Sequence, residues 1–455
     1  MLNFLHRHLL LPAFETGLKR RKTFAYWRQL EKSQWLSRAS LEQLQFQALG
    51  QLIQHAMKHC PYYQAAWRER GLDAEGLRDP GDFANWPIVT RETVRENRLA
   101  MRSTAPGLRL IAKSTGGSSG VPLQFDLNEN SADRRNAAWH RGYSWAGAAP
   151  GTRQFYLWGA NLSPRARWRE YKDHLYNRLY RKRVWNSFDL ADQRIPALVK
   201  EINRHRPDVI VAYVKPLYEL ARSVDEGRMR VFRPKSIVVG AEKLHDFERE
   251  VIERAFAAPV FETYGSREFM LIGAECELHQ GLHLNVEHLV VEVLDADGNP
   301  TPAGDEGQVV VTDLYNYGMP FVRYATGDRA IAGFESCPCG RGLPLLKKIT
   351  GRQLDILRTP DGRLIPGEFF PHLIKDYRAV RRFQVVQETP ELIRLRLVVD
   401  ENWTNQTARH LEDIVRQTLG PVVQFELMLV DEISLTQAGK LQVVINKTQP
   451  LRQAA

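Results

Sequence analysis

A chain of 455 residues with 43% hydrophobic and 25% charged residues has an ordinary globular composition, and it is too long for a single core, so two or more domains are expected. No stretch approaches the roughly 20 uninterrupted apolar residues of a membrane-spanning helix, and four cysteines do not make a disulfide scaffold. The formal net charge is +10, but no nucleic-acid module accompanies it, so no nucleic-acid partner is expected.

Residues 1–12 have a short apolar flavour but no small-residue cleavage site and no unbroken apolar core, so no signal peptide is expected and a cytoplasmic location is the default. Over residues 24–70, Leu41, Leu44, Phe46, Leu49, Leu52, Ile53 and Ala56 recur at helical period. Leu110-Ile111-Ala112 and Leu123-Gln124-Phe125 read as short strands flanking a loop. Residues 165–183 hold eight basic side chains against Glu170 and Asp173, with Tyr176, Leu179, Tyr180 and Arg183 at helical spacing. The ordinary reading of that segment is a solvated helix face; the functional ones are contact with an anionic membrane surface or with a second substrate's phosphates.

Strands are predicted over 154–157, 209–213, 236–239, 289–294 and 308–312, with helices over 217–225 and 246–257 separating the earlier ones. That alternation argues for α/β layering. Residues 294–300 read as a hairpin turn. After Asp355 the pattern changes: strands over 382–388, 392–399, 422–429 and 441–445 and a helix over 406–419 make a small α+β unit.

The loop after Lys113 is dense in special chemistry. Ser114-Thr115-Gly116-Gly117-Ser118-Ser119-Gly120-Val121 packs three glycines and four hydroxyl side chains into eight residues. Glycines let a backbone turn sharply and bring N–H groups to an anion, and hydroxyls add donors to phosphate oxygens. The spacing is neither that of a Walker P-loop nor that of a dinucleotide fold. A flexible linker has similar composition; the strand-like flanks and Val121-Pro122 argue for a structured loop.

Downstream stand Thr263-Tyr264-Gly265-Ser266-Arg267-Glu268, then Arg323-Tyr324-Ala325-Thr326-Gly327-Asp328, then Gly351-Arg352-Gln353-Leu354-Asp355, then Gly439-Lys440. With the loop, this ordered set resembles the adenylate-forming superfamily over residues 41–447. Within it, the chain is most similar to the phenylacetate–CoA ligase branch, with its capsule-biosynthesis and coenzyme F390 synthetase-like relatives. The resemblance implies an α/β fold of two parts. A large N-terminal domain of layered sheets and helices, 1–354, would bind ATP and the acid, and a small mobile α+β domain, 355–455, would hinge at Asp355. The implied reaction is ATP-dependent attack of a small-molecule carboxylic acid on the α-phosphate, giving acyl-AMP and pyrophosphate, then acyl transfer to coenzyme A. Transfer to an amine, a sugar hydroxyl or a carrier protein is the alternative, and a non-catalytic nucleotide-binding protein is the rival from another class.

Residue by residue, the resemblance assigns Ser114, Thr115, Gly116, Gly117, Ser118, Ser119 and Gly120 to the β- and γ-phosphates. It stacks Tyr264 on adenine beside Gly265, turns Thr263 to the α-phosphate, and makes Glu268 a ligand of Mg²⁺, a hard cation suited to a carboxylate. Gly240, Ala241 and Glu242 would line the adenine and acyl pocket. Asp328 would accept both ribose hydroxyls, and Arg352 would sit near ribose and phosphate. Lys440 would bridge the carboxylate and α-phosphate where charge develops in the transition state. Residues 357–366 insert a turn where the family has an Arg-Gly-rich loop near the acceptor thiol, which leaves the acceptor less determined than the adenylation.

Cys276 and His279 form a C-x-x-H pair and Cys337 and Cys339 a C-x-C pair. Three cysteines and a histidine are a normal closed structural zinc set, and some phenylacetate–CoA ligase-like relatives carry one. Incidental buried thiols are the ordinary reading, and His283 competes for the fourth position. A zinc here would tie the segment after Glu268 to the one after Asp328. No motif specifies the acid or the oligomeric state.

Overall fold

The computed structural model describes residues 2–115, 123–159, 167–187, 194–227, 229–242, 244–333, 336–350, 356–367, 369–374, 376–377, 379–433 and 443–448. Its centre is an eleven-stranded sheet. The strands in chain order are β1 (Leu110–Ser114), β2 (Gln124–Asn128), β3 (Gln154–Trp158), β4 (Lys182–Asn186), β5 (Val209–Tyr213), β6 (Ser236–Gly240), β7 (Val260–Ser266), β8 (Met270–Glu275), β9 (Leu282–Leu284) and β10 (Leu289–Leu294). They continue as β11 (Glu306–Asp313), β12 (Tyr324–Ala332), β13 (Leu345–Ile349), β14 (Ile356–Arg358), β15 (Leu364–Pro366), β16 (Val380–Thr389), β17 (Leu392–Val399), β18 (Gln424–Leu429) and β19 (Val444–Asn446). The large sheet runs β10-β11-β12-β13-β9-β8-β7-β6-β5-β3-β4.

Strands β4, β3, β5, β6 and β7 are parallel. The others join antiparallel. Every residue of β5 and β6 is buried, as expected of apolar runs in a parallel sheet covered on both faces. The helices Ile195–His205, Val214–Glu226 and Asp246–Phe256 pack one apolar layer on these strands. The helix Glu129–Trp145 closes the other face through Tyr143, with Phe261 and Leu271 beneath it. In the small C-terminal unit the order is β18-β17-β16-β19, covered by the helix Asn405–Leu419, and Tyr213 from the end of β5 packs into its core.

The basic segment is not one helix. Arg167–Leu179 is helical, Arg181 then adopts φ 55°, and the chain enters β4 at Lys182. Tyr180 and Arg183 therefore fall beyond the helix on which the spacing placed them. A left-handed residue ends a helix whatever the apolar period does after it.

Candidate active site

The site is built where the parallel strands β5, β6 and β7 end, the edge at which open α/β sheets bind ligands. Strand β7 pairs in parallel with β6 as far as Glu262, then antiparallel with β8 from Thr263. Thr263 sits at that change of partner. Its Oγ1 donates to the Val239 carbonyl at 2.8 Å. Gly240 follows, and a Cβ there would stand 2.5 Å from Thr263 Oγ1, so the close approach needs glycine. Ala241 turns the chain away with φ 68°, leaving Glu242 half-buried at the rim. At Gly265 a Cβ would collide with the Met270 carbonyl oxygen.

Tyr264 is buried, and its hydroxyl donates to Asp328 Oδ2 at 2.9 Å. Asp328 is held by its own turn: its N–H donates to Thr326 Oγ1 at 3.1 Å, Thr326 Oγ1 donates to the Val309 carbonyl at 2.9 Å, and Gly327 between them has φ 78°. Upstream, the buried Arg323 makes a paired contact with Glu292 at 2.9 and 3.1 Å and donates to the Ala84 and Trp86 carbonyls at 2.6 Å. Arg323 is thus a buttress of the strand that presents Asp328.

The glycine-rich loop joins β1 to β2, whose hairpin register pairs Ser114 with Gln124. Thr115 ties the loop's two ends: its N–H donates to the Leu123 carbonyl at 2.9 Å, and its Oγ1 accepts from Leu123 N–H at 2.9 Å. The same oxygen accepts from Arg91 Nη2 at 2.8 Å, while Arg91 Nη1 lies 3.5 Å from Glu268 Oε1. Arg91 therefore connects the base of the loop to the glutamate expected to hold Mg²⁺. Gly116, Gly117, Ser118, Ser119, Gly120, Arg352, Asp355 and Lys440 lie outside the described residues.

Beyond Thr263 the wall is aromatic. Tyr143 is buried beside Thr263 and Trp139, and that burial pushes its phenol up from the ordinary value. Trp139 and Tyr143 are one helical turn apart with ring centroids at 4.8 Å, and Trp158 lies 4.1 Å from Tyr213. Lys182 Nζ sits 4.6 Å from the Trp139 ring and 4.9 Å from the Tyr156 ring.

A second cluster lies at the junction of β8, β9 and β13. The ligand atoms of Cys276, His283, Cys337 and Cys339 all fall within 4.8 Å of one another. Cys276 Sγ and Cys337 Sγ are 3.9 Å apart, too far for a disulfide and close to the ~3.8 Å edge of a tetrahedron built on ~2.3 Å zinc–sulfur bonds. Cys339 Sγ is 3.4 Å from His283 Nε2, and His283 Nδ1 lies 3.3 Å from the Leu343 carbonyl. With Nδ1–H donating to that carbonyl, the Nε2 lone pair is left for the cluster, the usual orientation of a metal-ligating histidine. Burial pushes the Cys276 thiol up to about 12 and the His283 imidazole down to about 4. Low-dielectric surroundings favour the neutral forms until a cation is bound. The donor set fits a structural zinc.

His279 is not part of this cluster. Its Nδ1 lies 3.1 Å from Glu275 Oε2, and its ring packs 4.6 Å from that of Phe261. The turn after Cys276 gives His279 φ 50° and points it across the strand end, whereas the β8–β9 pairing sets His283 opposite Ala274 and brings it to the thiols.

Sequence reasoning missed Arg91 and Tyr143. Arg91 follows the helix-capping Thr90 and carries no motif of its own. Tyr143 carried one available signal, its spacing of four from Trp139 on an amphipathic helix.

The residues 357–447 match the family described as the CapK C-terminal domain. The chain is 23% identical to protein CapK of Staphylococcus aureus, over 98% of this chain and 99% of that protein. It is 26% identical to a phenylacetate-coenzyme A ligase of Thermus thermophilus, over 77% of this chain and 79% of the other. Its fold matches a solved 2-hydroxyisobutyryl-CoA ligase in complex with 2-HIB-AMP and CoA, with a TM-score of 0.60, 21% identity and 90% of each chain covered. The chain is similar to CapK and to the phenylacetate-coenzyme A ligases along most of its length, and its fold is that of the solved acyl-CoA ligase.

Proposed function

We propose that this protein is an AMP-forming acid–thiol ligase: it condenses a carboxylic acid with ATP to an acyl-adenylate, releases pyrophosphate, and passes the acyl group to coenzyme A. The observation that carries this reading is the contact of Tyr264 with Asp328 beside Thr263 and Gly240 at the strand ends. That arrangement offers a flat ring to a base, a carboxylate to two ribose hydroxyls, and a hydroxyl and backbone edge to the phosphate between them. The similarity to phenylacetate-coenzyme A ligases supports the same chemistry.

In this reading Ser114 through Gly120 hold the β- and γ-phosphates, and Arg91 fixes the loop base against Glu268. Glu268 would hold Mg²⁺, which offsets phosphate charge; it is a buried carboxylate whose Oε1 lies 3.5 Å from Arg91 Nη1, and a carboxylate oxygen can also ligate a hard cation. Residues 355–455 act as the small domain and deliver Lys440 to the carboxylate and α-phosphate, with Arg352 nearby. Cys276, His283, Cys337 and Cys339 would hold zinc, which with four protein ligands has no open position and serves stability.

An acceptor other than coenzyme A is favoured by one observation. The inserted turn forms the β14–β15 hairpin, locked by Arg363 against Asp361 at 2.9 Å and against the Thr418 and Leu419 carbonyls, where the family loop faces a thiol. Pyrophosphate release over a panel of aryl and alkyl acids, with coenzyme A, hydroxylamine or no acceptor, tests both points. Acid-dependent release is expected. No release with any acid, in protein that binds ATP, rejects adenylation. Hydroxamate formation without any thioester rejects coenzyme A alone.

A further inference from the structure

Twenty large hydrophobic side chains stand exposed among the described residues, and nine of them lie in two short segments. One segment is the helical stretch of residues 2–18, where Phe4, Leu9 and Leu18 are 64%, 57% and 73% exposed. The other is the helix Arg167–Leu179, where Trp168 and Tyr171 are 61% and 66% exposed. Trp168, Tyr171 and Leu175 are spaced three and four apart, so they share one helical face.

The two segments lie together. The Phe14 ring is 6.2 Å from that of Tyr176, and Tyr180, just past the second helix, donates its hydroxyl to the buried Glu15 at 2.7 Å. Leu11 is buried with Tyr180, Phe24 and Trp27. The inner side of the N-terminal stretch is therefore anchored in the fold, while its outer side presents leucines and phenylalanine to solvent.

The charge of the chain is concentrated in the same place. Residues 2–22 hold five basic side chains and one acidic; residues 167–179 hold four and two. These two segments carry six of the ten net positive charges of the chain. The one acid of the first segment, Glu15, is buried and paired with Arg21 at 3.2 Å, which leaves Arg7, Lys19, Arg20 and Lys22 without an acidic neighbour in their own segment. Lys19, Arg20, Arg21 and Lys22 are all exposed immediately after Leu18, and Lys172 and Arg178 flank the aromatic face of the second helix. No helix among the described residues is long and apolar enough to cross a membrane.

Large apolar and aromatic side chains ringed by lysine and arginine, on helices too short and polar to span, are the chemistry of an interfacial helix. We infer that residues 2–22 and the Arg167–Leu179 helix together form a docking surface for an anionic lipid bilayer. Trp168 and Tyr171 suit the headgroup boundary, where one end of the side chain is apolar and the other wet. Each basic residue near an anionic leaflet adds to the attraction, and salt screens it. Binding is therefore reversible and dependent on ionic strength.

Co-sedimentation of the full chain with vesicles tests the inference. Vesicles containing phosphatidylglycerol should pellet the protein, phosphatidylcholine vesicles should not, and raising the salt should release it. Two sets of exposed substitutions separate the forces: Leu9→Ser with Trp168→Ser for the apolar face, and Lys19→Glu with Lys172→Glu for the charge. Each should weaken binding about tenfold or more, with melting temperature and acid-dependent pyrophosphate release in solution unchanged. Absence of binding to phosphatidylglycerol vesicles overturns the inference. So does equal binding by the charge-reversed variant. Light scattering that finds a dimer dissolved by the same substitutions, without vesicle binding, would assign the face to a second copy of the chain instead.

Discussion

Tyr264 on β7 and Asp328 on β12 are 64 residues apart, with three strands between them in the sheet order, yet their side chains meet at 2.9 Å. Four strand spacings in a flat sheet would separate them by about 19 Å. The antiparallel half of the sheet therefore curls back, and the hydrogen bond joins its two sides over the floor of the site. If these residues hold adenine and ribose, Asp328→Ala should weaken ATP binding by about 1.5–3 kcal/mol through lost charged hydrogen bonds. Tyr264→Phe removes only the link between them and should cost about 1 kcal/mol. Isothermal calorimetry with ATP measures both, and unchanged affinity in Asp328→Ala would remove the assignment.

Gly240 offers a test of the position of Thr263. The methyl of Gly240→Ala would stand 2.5 Å from Thr263 Oγ1, so the threonine or the end of β6 has to move. Displacement of a group that meets the reacting phosphate costs rate more than stability. ATP–pyrophosphate exchange should fall at least about tenfold, with a small change in melting temperature. Full exchange activity in the variant would show that Thr263 need not sit where it does.

Much of this arrangement was legible in the chain. The buried runs of β5 and β6 read as strands because every residue is apolar or small, and β10 was found within its predicted bounds. The Tyr264 and Asp328 segments were visible as motifs, and the structure brings them into contact. What escaped was whatever depends on register. His279 has the better spacing from Cys276 in sequence, but the pairing of β8 with β9, fixed by long-range contacts, selects His283. Arg91 meets Thr115 and Glu268 only after the helix Arg91–Glu96 has packed beside the hairpin, and no local pattern announces it. The end of the basic helix escaped because Arg181 adopts a left-handed backbone that its side chain does not require.

The metal cluster yields a paired comparison. Protein purified without chelator should hold about one zinc per chain. His283→Ala should lose it and His279→Ala should keep it. Cys337→Ser should lower the melting temperature, because metal binding is coupled to folding of the segment it closes. Elemental analysis finding no zinc, or finding it lost only in His279→Ala, would reject the ligand set.

Glu262, beside Thr263, provides a pH dependence. Burial, with the Glu275 charge adding to it, pushes its carboxyl up to about 7. The folded state therefore keeps a proton that the unfolded chain has released above its ordinary 4.5. Stability from this group is fully present below pH 4.5 and is lost as pH rises through 7. Glu262→Gln, which cannot ionise, should be more stable than wild type at pH 8 by about 1–3 kcal/mol and nearly equal to it at pH 4 to 5. Denaturant titrations at the two pH values give the difference; a gap that does not grow with pH contradicts the cause assigned.

Lys440 tests the chemical step itself. It lies in a segment whose flanks are tied down: Ile433 before it and Val443 after it are buried, and β19 pairs with β16 from Val444. In the proposed reaction Lys440 meets the α-phosphate in one half-reaction and not in the other. Its ammonium would matter only while the carboxylate attacks and charge develops between carboxylate and phosphate. Lys440→Ala should therefore slow acyl-AMP formation by about 10²–10³, with ATP affinity little changed. Thioester formation from supplied acyl-AMP should fall much less, because that step needs no cation bridging the two groups. Single-turnover measurement of each half-reaction separates the two. Wild-type ATP–pyrophosphate exchange in Lys440→Ala, with a competent acid present, would remove the lysine from the mechanism.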